Sequence, residues 1–284
     1  MNNQGQKPDG RRIVVGLTAA SDAERTIAAA AVLAGVTEAK IVGLFMQEEI
    51  MFELAEFPFA RVLDFDNPAP REISRQSMQE AFARTAAVCK RVLSKRAGKA
   101  QVNWSFSTKQ GDLSAAFEAM AGSGDYVVLP GETHGMGTRT LIHTLRMVPA
   151  GVGGVVVAAL HRKSRSTGPI VAIDDGDETG ARTIVLAARL AALEDRPLHL
   201  IVIAATDADA ERIEARAATL VSGKQTMTTH RHLPGSPQSI AASLIHLSPF
   251  FVVGDLDGEP FSDDQIAVSL FRAAKAPVLL LRKA

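Results

Sequence analysis

The start of the chain matches a segment near its middle without a gap. Ile13-Val14 lines up with Ile170-Val171, Arg25-Thr26-Ile27 with Arg182-Thr183-Ile184, and the apolar run Ile41 to Met46 with Leu198 to Ile203, all at a spacing of 157. Self-similarity on this scale means that one supersecondary plan is used twice. Farther along the spacing falls to 124, pairing Gly111 with Gly235, Met120 with Leu244, and Tyr126-Val127-Val128-Leu129 with Phe250-Phe251-Val252-Val253. The first copy therefore holds 33 residues that the second lacks, the difference between the two spacings, and they fall at about residues 47 to 80.

Each copy reads strand-helix four times and closes on a strand. The strands are short, rich in Val, Ile and Leu and often apolar on both faces, the pattern of a buried parallel sheet in an α/β fold. Strands are expected near 12–17, 40–46, 101–107, 125–130 and 152–159, then near 169–174, 197–204, 225–233, 249–254 and 277–282. Met78, Phe82, Ala86, Cys89 and Leu93 recur at helical spacing, which predicts one long amphipathic helix over about 71–97. Ser21-Asp22-Ala23-Glu24 and Ser262-Asp263-Asp264-Gln265 have the form of capping boxes, and Ser236-Pro237 places a cap before a proline suited to the first helical turn. A length of 284 residues suits two domains. The expected division is a polar tail over 1–10, a first domain over 11–160, a basic, glycine-ended linker over 161–168, and a second domain over 169–284.

Thirty-one basic residues balance thirty-one acidic ones, so no overall field attracts a nucleic-acid backbone or an anionic membrane. Cys89 is the single cysteine and sits in a core pattern, which fits a reducing, cytoplasmic setting. The N-terminal stretch lacks the apolar core of a signal peptide, and no uncharged run approaches the roughly 20 residues needed to span a bilayer. A soluble protein without nucleic-acid or membrane partners is expected.

In a doubly wound parallel sheet, ligands bind beyond the carboxyl ends of the strands where the strand order reverses. At the first such end, the second copy has Asp174-Asp175-Gly176-Asp177-Glu178 and the first has Thr18-Ala19-Ala20-Ser21-Asp22. Asp174 is the candidate to bind a ribose or adenine amino group, or to share a divalent cation with its neighbours; Asp175 and Asp177 suit helix capping or solvent. After the fourth strand, the first copy runs Pro130-Gly131-Glu132-Thr133-His134-Gly135-Met136-Gly137-Thr138-Arg139-Thr140. Gly131, Gly135, Gly137, Thr138 and Arg139, at a helix N-terminus, form a candidate anion cradle, though without P-loop spacing. The second copy has Gly254-Asp255-Leu256-Asp257-Gly258-Glu259 there, three acids and no base. His230 and His232 share one face of a strand but lack a visible third metal ligand. No Gly-x-Ser-x-Gly elbow is present, so no catalytic residue is assigned.

The chain resembles the universal stress protein family, through Ile170-Val171-Ala172-Ile173-Asp174, Phe251-Val252-Val253-Gly254 and Ala276-Pro277-Val278-Leu279-Leu280. The resemblance implies a Rossmann-like parallel sheet of order 3-2-1-4-5 in each of two tandem copies, flanked by helices. It also implies that ATP could bind through an aspartate after the first strand and a glycine loop after the fourth. Asp174 fits the first element and Thr18 departs from it; neither glycine loop has the family's spacing. The resulting expectation is a non-enzymatic cytoplasmic stress-response or regulatory protein in which any nucleotide site is vestigial or confined to one half. Its copies would pack through the edges near Val155 and Leu279 as an internal pseudo-dimer, with a homodimer also open. The alternatives are an adenine-nucleotide-binding protein or slow ATPase, and a scaffold that recruits a protein partner through the acidic-apolar segment Glu48–Arg61, whose Ile50, Leu54 and Phe57 share a helical face. The Asp174-Asp175 pair also suggests a phosphoacceptor receiver, disfavoured by Asp255 ending a fourth strand and Lys275 preceding the fifth.

Overall fold

Alternation along the strands decides the layering. Ile13, Val15 and Leu17 of one strand are buried on one side of the sheet while Val14 is buried on the other, so both faces require a cover of helices. The computed structural model describes residues 10–57, 61–62, 71–72, 74–131, 138–159, 167–221 and 226–283. The elements run β1 (Arg12–Leu17), α1 (Ala20–Thr37), β2 (Lys40–Gln47), α2 (Glu49–Glu56), β3 (Arg61–Val62), β4 (Arg71–Glu72), α3 (Arg75–Lys99), β5 (Trp104–Gln110), α4 (Leu113–Met120), β6 (Tyr126–Leu129), α5 (Thr138–Met147) and β7 (Gly154–Val157). They continue with β8 (Ile170–Asp174), α6 (Gly180–Leu193), β9 (Leu198–Ile203), α7 (Asp207–Leu220), β10 (Met227–His232), α8 (Pro237–Leu247), β11 (Phe251–Asp255), α9 (Asp264–Ala274) and β12 (Val278–Leu281).

Ten strands form a single sheet in the order β10-β9-β8-β11-β12-β7-β6-β1-β2-β5. Read inward from each outer edge, each run of five has the order 3-2-1-4-5, and every pairing within a run is parallel. The two sheets expected from the sequence are thus one, joined where β12 and β7 pair antiparallel with Leu279 opposite Val156 and Leu280 opposite Val155. Helices α1, α3, α6 and α7 cover one face with Ile27, Leu33, Leu93, Ile184, Leu190 and Ile213. Helices α4, α5, α8 and α9 cover the other with Phe117, Leu145, Ile240, Leu244, Leu270 and Phe271. Contacts across the join extend beyond the strands: Arg189 on α6 donates to the Val36 carbonyl at the end of α1 (2.6 Å).

Several local expectations are corrected. α1 starts at Ala20 with Ala19 as N-cap and no side-chain cap, so Ser21 lies inside the helix instead of capping it. At α9 the cap is Asp263, one residue after Ser262, and its carboxylate accepts from the Gln265 and Ile266 amides. Ser236 stands before Pro237 as expected but makes no side-chain cap bond. The capping box that does form, Ser74 with Ser77 at the start of α3, escapes the sequence pattern because serine replaces the usual Glu or Gln. β5 begins three residues late because α3 runs to Lys99 and the chain turns through Gln101 at φ 54°.

The extra residues of the first copy include α2 and a two-stranded ribbon, β3 with β4. In α2 the inward residue is Phe52, 3% exposed and 5.2 Å from the Phe82 ring on α3. Leu54 (46% exposed) and Phe57 (63%) point to solvent. The short helix is set by its ring contact with α3, so the side opposite Phe52 is left outward.

Candidate functional site

The strand order reverses between β8 and β11, and the last residue of each is an aspartate, Asp174 and Asp255. This is where a doubly wound sheet opens its ligand crevice. Asp174 has no side-chain exposure and is already paired: Arg216 on α7 places Nη2 2.9 and 2.7 Å from its two carboxylate oxygens. The same guanidinium donates through Nη1 to the Asp177 carbonyl (3.0 Å), tying the loop after β8 to α7. The Gly176 amide, in a glycine at φ 91°, donates to Asp174 at 2.9 Å. Gly180, the first residue of α6, lies so close that a Cβ there would collide with Asp174 Oδ1 and the Arg216 guanidinium.

Beside that pair lie three more carboxylates. Asp175 accepts from the Asp177 amide (3.2 Å) and, across the crevice, from the Glu259 amide (2.8 Å). Asp177 Oδ1 accepts from the Thr179 and Gly180 amides (2.9 and 3.0 Å) and so orders the start of α6. Asp255 is 5% exposed, and one oxygen accepts from the Asp257 amide at 2.9 Å. The remaining oxygens, Asp177 Oδ2 and Asp255 Oδ2, are buried and accept from no backbone amide. Burial first, and then the Asp177 carboxyl, push Asp255 up to about 6. Burial acts on Asp177 in the same sense, but hydrogen bonds from Asp255, Gly180 and Thr179 outweigh it and hold Asp177 below the ordinary carboxylate value. When one proton is shared it therefore sits on Asp255 and is donated to Asp177. Lys283 Nζ lies 3.7 Å from Asp177 Oδ2.

In the first run of strands the equivalent positions differ. β1 ends on buried Leu17, the register counterpart of Asp174, and Thr18 lies beyond it. Gly131 packs against the end of β7, where a Cβ would collide with the Ala158 carbonyl; close backbone approach accounts for this glycine without any ligand. Thr138 and Arg139 lie in the first turn of α5, while Gly135 and Gly137 fall outside the described residues. Glu48, after β2, is raised by burial and by Asp112, so this edge too carries neighbouring acids. His230 does gain a neighbour that the sequence did not expose: His199 on β9, Nδ1 to Nε2 2.9 Å, with stacked rings. His232 instead bonds Ser239 and Ser243 of α8, so no three-histidine site is assembled.

No protein-family model matches the chain, and no curated protein matches it in sequence. Solved structures do match. A universal stress protein from Archaeoglobus fulgidus DSM 4304 superposes with a TM-score of 0.63 at 13% identity, covering 96% of each chain. A protein assigned to the universal stress type from Pseudomonas aeruginosa UCBPP-PA14 gives 0.57 at 15% identity, over 96% of this chain and 93% of that one. The cytoplasmic domain of a prokaryotic cation chloride cotransporter gives 0.56 at 15% identity, over 96% of each. The fold is that of the universal stress proteins. Among the described residues no helix is long and apolar enough to cross a membrane.

Two side chains that shape the crevice of this universal-stress-type fold are absent from any sequence pattern. Arg216 lies 42 residues after Asp174 on a helix whose acidic and basic residues look like an ordinary solvated face. Arg146, on α5, crosses the join to donate to the Phe261 and Ser262 carbonyls (3.0 and 2.9 Å), in the loop that follows Asp255. Only contacts distant in the chain identify either one.

Proposed function

We propose that the protein is a regulatory module of the universal stress type that works by binding and not by covalent catalysis, and that its C-terminal half has lost the nucleotide site the fold would otherwise offer. The observation that carries this reading is the capture of Asp174 by Arg216. A carboxylate with both oxygens on a guanidinium and no exposed surface has nothing left for a ribose or an adenine amino group. Asp175, Asp177 and Asp255 line the same crevice and would repel a triphosphate. The fold occurs both in universal stress proteins and in the cytoplasmic domain of a cotransporter. Fold alone therefore leaves open whether the partner is a small molecule or another protein.

Thermal-shift and calorimetric titration with ATP, ADP and AMP, in chelator and in magnesium, tests the reading. The expected result is no saturable rise in melting temperature that depends on Asp174. A saturable ATP-dependent rise abolished by Asp174→Ala would overturn it, and one abolished by Arg139→Ala would move the nucleotide to the first half.

A second reading, partner recruitment through the segment after β2, is favoured by the outward row Met51, Leu54 and Phe57 (38, 46 and 63% exposed). Sedimentation of wild type against Phe57→Asp tests whether a second copy covers that row: loss of a dimer supports self-association, and identical monomers exclude it.

A further inference from the structure

We propose that a groove between α6 and the central strands binds a small amphipathic carboxylate, an anion with an apolar body. The groove has a volume of about 290 Å3 and is lined by Tyr126 of β6, Leu281 next to the join, and Arg182, Val185, Leu186 and Arg189 of α6. That volume stands at the lower end of small-molecule pockets, about 300–1,000 Å3. Its floor is apolar, with Leu281 and Leu186 buried and Val185 open to solvent. An apolar groove alone would name no ligand. Tyr126 supplies the first polar mark: it is 6% exposed, and its hydroxyl has no hydrogen-bond partner among the described residues. A nearly enclosed phenol on the wall of a groove ordinarily finds a partner, and a bound carboxylate would provide one.

Arg182 and Arg189 supply the charge. They stand two turns apart on α6, about 10 Å along its axis, with Val185 and Leu186 between them. Each is oriented by a backbone carbonyl, Arg182 Nη1 by that of Arg282 (2.8 Å) and Arg189 Nη2 by that of Val36 (2.6 Å), and neither has a carboxylate partner among the described residues. One carbonyl does not exhaust the five N–H donors of a guanidinium. The internal repeat shows how this charge arose. In the first copy Arg25, the counterpart of Arg182, pairs with Asp22 (2.7 Å), and Glu24 beside it pairs with Arg96. The second copy has Thr179 in place of Asp22 and Ala181 in place of Glu24, so both acids are gone, while Arg189 in place of Val32 adds a cation. Two guanidiniums without acids over an apolar floor match a carboxylate through planar N–H pairs and its hydrocarbon through burial.

The groove shares no residue with the crevice at Asp174, and the inference does not rest on the nucleotide reading. Full-length protein is titrated by calorimetry with sodium octanoate, with octanol and with inorganic phosphate. Octanoate is expected to bind saturably at one equivalent, at least about tenfold more tightly than either octanol or phosphate. Val185→Glu, which sets a carboxylate at an exposed position of the groove, and Arg182→Gln should each weaken octanoate at least about tenfold, with melting curves showing both variants folded. Arg212→Gln, on the exposed side of α7, should bind as wild type does. Absence of saturable octanoate binding, equal affinity for octanol or for phosphate, or unchanged affinity in both groove variants overturns the proposal. A dimer that is lost in Val185→Glu while octanoate fails to bind also overturns it, because a second copy would then cover the groove.

Discussion

Replacing Arg216 with alanine tests the energetics of the crevice directly. The substitution removes the donor to both oxygens of a carboxylate with no exposure and leaves it with the Gly176 amide at 2.9 Å. Breaking a buried ion pair from one side costs about 3–5 kcal/mol, because the orphaned charge keeps its desolvation penalty. Arg216 is itself 30% exposed, so water can enter the vacated space and the low end, about 3 kcal/mol, applies. For a protein of this size each kcal/mol shifts the melting temperature by about 2–4 °C, which gives a fall of about 6–12 °C. Calorimetry and urea denaturation in chelator would measure it. Asp174→Asn placed in the Arg216→Ala background should recover at least half of the loss, since it removes the stranded charge. A loss below about 1 kcal/mol, or strict additivity of the two substitutions, would show that the pair is not a buried, coupled unit and would remove the main support for a closed nucleotide site.

Other consequences are checked more briefly. Leu280, fully buried where β12 meets β7, should cost about 2–5 kcal/mol as alanine in chemical denaturation. Burial first and then His230 lower the His199 pKa from 6.5, so below that value the unfolded chain binds more protons than the folded one. Stability should therefore fall as pH drops from about 7 toward 5, and His199→Gln should flatten the fall in pH-resolved melting. Arg146→Ala removes donors to the Phe261 and Ser262 carbonyls and the ion pair with Asp264. Hydrogen exchange should accelerate about tenfold, the equivalent of about 1.4 kcal/mol, across 256–262 and not elsewhere.

The repeat and the apolar strands were enough to read the layered α/β sheet from the sequence, because buried parallel strands leave a dense Val, Ile and Leu signature that side-chain contacts do not alter. The edges named near Val155 and Leu279 are indeed in contact, although the result is one continuous sheet. The site was legible only in part. Asp174 stands at the expected strand end, but its availability depends on Arg216, whose approach is set by the path of α7. The inward residue of α2 escaped for a related reason: in an eight-residue helix, one ring contact between Phe52 and Phe82 outweighs periodicity.

The antiparallel join has a consequence for how any two ligands could communicate. Because β12 and β7 run in opposite directions, the carboxyl ends of the two parallel runs point to opposite edges of the sheet. The acid crevice at Asp174 and Asp255 and the first turn of α5 at Thr138 therefore lie on opposite edges of the sheet. What does connect the edges is α5. Its first turn begins at Thr138 on one edge, and its last turn carries Arg146, which grips the carbonyls of the loop following Asp255 on the other. Ten residues of helix span about 15 Å. Its far end is fixed by these directional hydrogen bonds, and buried Leu141 and Leu145 hold its middle on the sheet.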